Sequence, residues 1–238
     1  DFCLSRGLGD VYKRQLAAWP ENSSTKADDK LLASLTAALS AGLDDATDVG
    51  VEAPQGYGVS DSDVPSVAKH VQNDLQSGFY PIVRVMADLW ERLAKKESTL
   101  ALRFFEAWRG SPFRLVRRLA LFASANNVVP ADLATDLLVS LPQGELFLTS
   151  SSVEVFRLLR LRWRQFSKSK RDDVLRRICE GPPREWFRTD SEVNRAIDRS
   201  RFDILGEMER EKFELSAEAV AVLNNIRGRW PNWQLRPA

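Results

Sequence analysis

From Lys30 to Arg227, apolar residues return every three or four positions in segments closed off by Gly, Pro and helix-capping side chains. This period constrains the chain more than any other feature, because it places one apolar stripe on each successive helix and leaves no room for a sheet. Asp28 and Asp29 precede Leu31, Leu32, Leu35, Ala38 and Leu39, and Gly42 closes this first helix. Val64, Val67, Ala68, Val71 and Leu75 share a stripe over 63–76, with Gly78 as the stop. Pro81 falls in the first turn of a helix carrying Ile82, Val85, Met86, Leu89, Trp90 and Leu93. Ser98 caps a helix with Leu102, Phe105 and Trp108, Ser111-Pro112 opens one with Leu115, Val116, Leu119 and Phe122, and Pro130 opens one with Leu133, Leu137 and Leu138. Ser151 with Glu154, then Ser169 with Asp172, each reads as a capping box. A last pair covers about 192–209 and 217–227, and the ELFLT run at 145–149 reads as a short extended piece.

Linkers of two to six residues force neighbouring helices to pack as antiparallel hairpins. Pairs begin near residues 81, 111 and 151, so the repeat falls near the roughly 40 to 47 residues of HEAT or armadillo units. No segment is apolar all round, as the central helix of a closed bundle would be. The expected fold is therefore all-α: a HEAT/armadillo-like stack of antiparallel helix pairs, an α-solenoid fragment of roughly nine or ten helices.

Residues 43–62 hold three Gly, one Pro and five acids with no sustained period, which marks a linker. The organisation expected is an N-terminal helix and acidic linker over 16–62, loosely attached, a helical-repeat domain over 63–230, and a truncated tail over 231–238. Residues 1–15, DFCLSRGLGDVYKRQ, have neither period nor signal-peptide character and read as a translated sequencing adapter, a non-native leader. Trp230 and Trp233 either pack on something further along or fold back on the last helix.

The 34 basic and 33 acidic residues nearly cancel, yet they are unevenly placed. Residues 16–75 carry ten acids against three bases, while 157–177 carry nine bases against Asp172 and Asp173. Arg157, Arg160, Arg164, Lys168, Lys170 and Arg171, interleaved with Phe156, Trp163 and Phe166, form a ridge of the kind that tracks a phosphate backbone. The plainer reading is a solvated or internally paired face, with the acids of 203–218 neutralising it across the stack. Trp186, after the Gly181-Pro182-Pro183 break, is a candidate exposed aromatic for partner recognition.

Catalysis finds little support. His70 is the one histidine, and no spacing nominates a partner for it; Cys179 reads as a buried small hydrophobe. No phosphate-binding glycine loop, zinc-binding helix or nucleophile elbow occurs, so the expectation is no catalytic, cofactor or metal residues in this chain. No run approaches the roughly 20 apolar residues of a membrane-spanning helix.

Ser111 to Asn126, SPFRLVRRLALFASAN, and Ser151 to Phe187, with its VLRRICEGPP close, resemble the helical-repeat region toward the C-terminus of large bacterial STAND or NACHT NTPases and sirtuin-type proteins linked to anti-phage defence. The resemblance covers about 80–230 and implies a sensor or scaffold portion with the catalytic module upstream. It carries no functional residue onto a position here. The expected role is a non-catalytic scaffold for protein interaction or target sensing, in the cytoplasm, with a protein partner or neighbouring domains of the same chain. The alternative is a nucleic-acid-binding module using the 157–177 ridge.

Overall fold

The computed structural model describes residues 23–53, 58–69, 73, 78–142, 144–187 and 190–235. His70, the 1–15 leader, and Val71 and Leu75 of the expected 63–76 stripe lie outside the described residues. Among the described residues every regular element is helical, and the chain divides into two compact units, one ending at Pro130 and the other beginning at Ala131. No described helix is long and apolar enough to cross a membrane.

The first unit contains α1 (Thr25–Asp48), α2 (Val59–Asp63), α3 (Tyr80–Lys96), α4 (Ser98–Arg109) and α5 (Arg114–Ser124). Helix α1 packs on α3, and α3, α4 and α5 pack in succession as a helical stack requires. Helix α1 is not loosely attached: Leu32, Leu39 and Leu43 are fully buried, the buried Asp28 carboxylate takes ion pairs from Arg92 (3.1 Å) and Lys96 (3.4 Å) on α3, and Trp108 Nε1 donates to Thr36 Oγ1 at 3.2 Å. Nor does α1 end at Gly42. Leu43 continues the stripe one turn beyond Leu39, so helix formation is favoured through Gly42, and the left-handed turn falls at Gly50 (φ 77°).

The expected helix over 63–76 is replaced, over its described part, by α2 and an irregular stretch at 64–69. Val64 precedes Pro65 and is extended (φ −126°, ψ 80°), a conformation favoured before proline and incompatible with a continuing helix. Val64 and Val67 are nonetheless buried, and side chains satisfy the backbone there. Arg118 donates to the carbonyls of Val64 (2.7 Å) and Pro65 (3.1 Å), Arg84 to that of Val67 (3.0 Å), and Asn73 Nδ2 to those of Ser66 and Ala68. Upstream, Glu52 binds the Ser60 N–H and hydroxyl, both at 2.9 Å.

Every residue of α5 is buried, although its sequence is not apolar all round. Its arginines carry their charge inward: Arg114 pairs with Asp61 at 2.6 Å with both side chains almost wholly buried, and Arg117 donates to the carbonyls of Ser111 and Pro112.

The second unit contains α6 (Ala131–Ser140), α7 (Thr149–Arg162), α8 (Lys168–Glu180), α9 (Asp190–Arg210) and α10 (Ala217–Arg229). Helix α8 packs on α6, α9 and α10, and α9 on α10. Residues Glu145–Phe147 form a 3-10 turn rather than an extended piece; the turn seats Leu146 in the core and leads into α7 two residues before Ser151. Ser151 is therefore no cap. It lies inside the first turn, wholly buried, with its hydroxyl lacking a hydrogen-bond partner. The cap of α8 is Ser167, whose side chain accepts from Lys170 N–H, two residues before the expected Ser169. Trp90, Trp108 and Trp163 are core anchors, Trp163 stacking on Phe213 at 5.7 Å, and Trp230 and Trp233 fold back onto α9.

Candidate functional site

The basic ridge begins on α7. Its apolar side, Val155, Leu158 and Leu159, is buried, which turns Arg157 and Arg160 toward the outer face. Arg157 is half-buried there, and Arg160 reaches Glu207 on α9 at 2.8 Å and Glu211 at 3.3 Å. Helix α7 ends at Arg162, so Arg164 does not continue the Arg157–Arg160 face; it is exposed in the 3-10 turn Trp163–Gln165. Arg162 is 2% exposed and donates from Nε to Gln165 Oε1 at 2.6 Å, and burial pulls its pKa below the usual arginine range.

The remaining ridge cations, all on α8, are held by acids of two other segments, by acids of α8 itself and by a backbone carbonyl. Lys170 pairs with Asp136 on α6, a hydrogen bond that raises the lysine pKa. Arg171 pairs with Glu214 at 3.0 Å, Arg176 with Asp173 at 2.6 Å and Lys168 with Asp172 at 3.3 Å. Arg177 donates to the Leu141 carbonyl at 2.8 Å. The acidic run at 203–218 thus faces the ridge within the same unit and supplies Glu207, Glu211 and Glu214 as counter-ions. Coulomb attraction between such half-exposed partners is screened and individually weak, but each carboxylate offsets part of the positive field that a phosphate backbone would meet.

An open cleft of about 480 Å³ lies beside the ridge, lined by Lys168, Arg171 and Arg176, by Asp172, Glu214 and Glu218, and by the start of α10 at Leu215–Ala217. Three cations are matched by three carboxylates, and the Ser216 hydroxyl already accepts from the Ala219 N–H at 3.2 Å. The cleft is polar and close to neutral.

Trp186 is 43% exposed, in the 3-10 turn Arg184–Trp186. One edge of its ring lies over Gly144, where an added Cβ would stand 2.2 Å from a ring carbon. The ring is therefore fixed in orientation while presenting the rest of its surface. Leu161, 55% exposed at the end of α7, is a second outward apolar side chain in this unit. Cys179 is buried, and burial pushes its thiol up to about 11, so it stays protonated and unreactive near neutrality. The sequence reading did not find Asp198, 2% exposed on α9 and a hub for Arg229 and Trp230; a lone Asp among arginines gives no sequence signal for such a role.

The chain is 30% identical over 178 residues to "uncharacterized protein y4cA" of Sinorhizobium fredii (strain NBRC 101917 / NGR234), a match covering 72% of this chain. The chain spans about 15% of that protein's length. No family model matches, and no solved structure matches.

Proposed function

We propose that this chain is a helical scaffold that binds protein, acting as an interaction or target-sensing portion of a larger bacterial protein. The observation that carries this reading is the pairing of the ridge: Arg160, Lys170 and Arg171 each meet an acid from another segment of their own unit, while Leu161 and Trp186 face outward. Cations already engaged this way favour neither a nucleic-acid backbone nor a charged substrate, and fixed, exposed apolar side chains favour protein contact. The match to a short stretch of a much longer bacterial relative supports the idea of a portion within a larger protein. The sensor or scaffold role implied by the likeness to defence-associated NTPases and sirtuin-type proteins fits this reading, with catalysis assigned to another part of such a protein and the cytoplasm as its location.

Site-specific photo-crosslinking tests it. A photoreactive residue placed at Leu161 or Trp186 in bacterial cells is expected to give adducts that protease removes and nuclease does not. Nuclease-sensitive adducts at these positions, or at Arg164 and Lys168, would favour the nucleic-acid alternative instead.

A further inference from the structure

Residues 195, 198, 199, 202 and 206 of α9 recur at helical spacing and form one stripe, and residues 229–235 lie along it. Trp230 and Trp233 stack face to face at 5.0 Å with their planes 6° apart, and Trp233 meets Phe202 edge-on at 5.7 Å. Arg195 lies over the Trp230 ring and Arg199 over that of Trp233, at 5.5 and 5.4 Å. Asp198, nearly fully buried beneath, accepts from Trp230 Nε1 at 3.0 Å and pairs with Arg229 at 3.0 Å; its other cation, Arg201, stands 4.0 Å away. Arg199 also donates to the Gln234 carbonyl at 2.9 Å.

Gly206 completes the arrangement. A Cβ there would come within 2.6 Å of Leu235 Cδ2, so the missing side chain is the seat that Leu235 fills. In the interior of a 21-residue helix a glycine costs about 1 kcal/mol against alanine, a cost that the seated leucine offsets. The stripe therefore reads a linear sequence at four points: a guanidinium on Asp198, two indoles between arginine planes and Phe202, and an aliphatic side chain over Gly206.

We propose that this stripe of α9 is a docking groove for a linear Arg-Trp-x-x-Trp-x-Leu segment, and that residues 229–235 occupy it in cis as a latch. The latch starts at the last residue of α10, where Trp230 N–H donates to the Ile226 carbonyl at 2.8 Å. Beyond that it is held by side-chain contacts and by the Trp233 N–H bond to the Trp230 carbonyl, and among the described residues none of its backbone-to-backbone bonds involves α9, so it opens without unfolding α9. Opening uncovers Phe202 and the arginines of the stripe, the Asp198 carboxylate, and the seat at Gly206. The groove shares no residue with the α7–α8 ridge, so its success or failure is separate from that of the scaffold reading.

The test uses the full chain carrying Trp230→Ala, Trp233→Ala and Leu235→Ala, which removes three of the latch's four contact points and frees the groove from Phe202 to Gly206, Arg229 staying on Asp198. A fluorescent peptide of sequence RWPNWQL is expected to bind this variant at least tenfold more tightly than the unmutated chain, whose own segment competes at high effective concentration. Adding Gly206→Leu, which fills the seat, is expected to abolish binding. A variant with unmutated helical circular dichroism that fails to bind the peptide, or that binds it equally with Gly206→Leu, overturns the proposal. Should the triple variant not fold, hydrogen exchange on the unmutated chain decides: the Trp233 amide is expected to exchange at least 100-fold faster than those of α9, and exchange at the rate of α9 overturns the latch.

Discussion

Ser151 has a sequence pattern and a structural position that predict opposite outcomes for one substitution. As the cap of a capping box, its replacement by Ala would cost about 1 kcal/mol. As a buried hydroxyl without a partner inside the first turn of α7, the same change removes an uncompensated polar group and improves helix propensity, so Ser151→Ala is expected to stabilise the chain by about 0.5 to 2 kcal/mol in urea unfolding. Asp63 offers a second test. Burial raises its pKa, the Phe79 N–H bond opposes that, and Glu52 nearby adds to it. The folded protein therefore favours the protonated acid, and ionised Asp63 weakens folding at every pH above its raised value. Asp63→Asn is expected to be more stable than the unmutated chain at pH 7, with the advantage shrinking as pH falls through the raised pKa and gone below the ordinary value of about 4. An advantage independent of pH would contradict this. Residue roles of this kind were the least legible in sequence. Arg114 and Arg118 sit in RLVRRLALFA where a solvated face is the natural reading, and what buries them lies some 50 residues upstream: the Asp61 carboxylate for Arg114 and the Val64 carbonyl for Arg118.

Helices themselves were largely legible, because an apolar stripe and a Pro or Gly stop are local signals. Pro81 in the first turn of α3, Gly181 (φ 77°) after α8 and the α9–α10 pair stand where the spacing puts them. Boundaries failed where burial overrode a local stop: the stripe of α1 runs through Gly42, and the turn at 145–147 starts α7 early. The 63–76 segment failed because its period was right and its backbone was not, Pro65 holding Val64 extended while Val64 and Val67 still reach the core. Gly144 is the residue that joins the elements around Trp186. Its φ of 97° disfavours any side chain, and a Cβ would strike the Trp186 ring and lie 2.8 Å from Pro183 Cδ. Gly144→Ala is expected to cost about 1 to 3 kcal/mol and to change the tryptophan fluorescence of Trp186. A change below about 0.5 kcal/mol with unchanged emission would show that the ring is not held there.

Across the whole molecule the near-zero net charge has a structural meaning. The sequence shows an acidic first quarter, a basic centre and an acidic stretch at 203–218, and the structure brings the last two together through Arg160–Glu207, Arg160–Glu211 and Arg171–Glu214. Which cations meet which acids was not legible, because the paired residues are more than 40 positions apart in sequence and no local pattern encodes their approach. The ridge is therefore a set of internal contacts, and on the proposed reading its own carboxylates hold down its phosphate affinity. Fluorescence anisotropy of a labelled oligonucleotide at low salt, comparing the unmutated chain with Glu207→Gln/Glu211→Gln/Glu214→Gln, tests this most directly. No binding by the unmutated chain, and salt-sensitive binding once the three acids are neutralised, is the predicted result. Tight, salt-sensitive binding by the unmutated chain that falls when Arg160, Lys168 and Arg171 are replaced would contradict it.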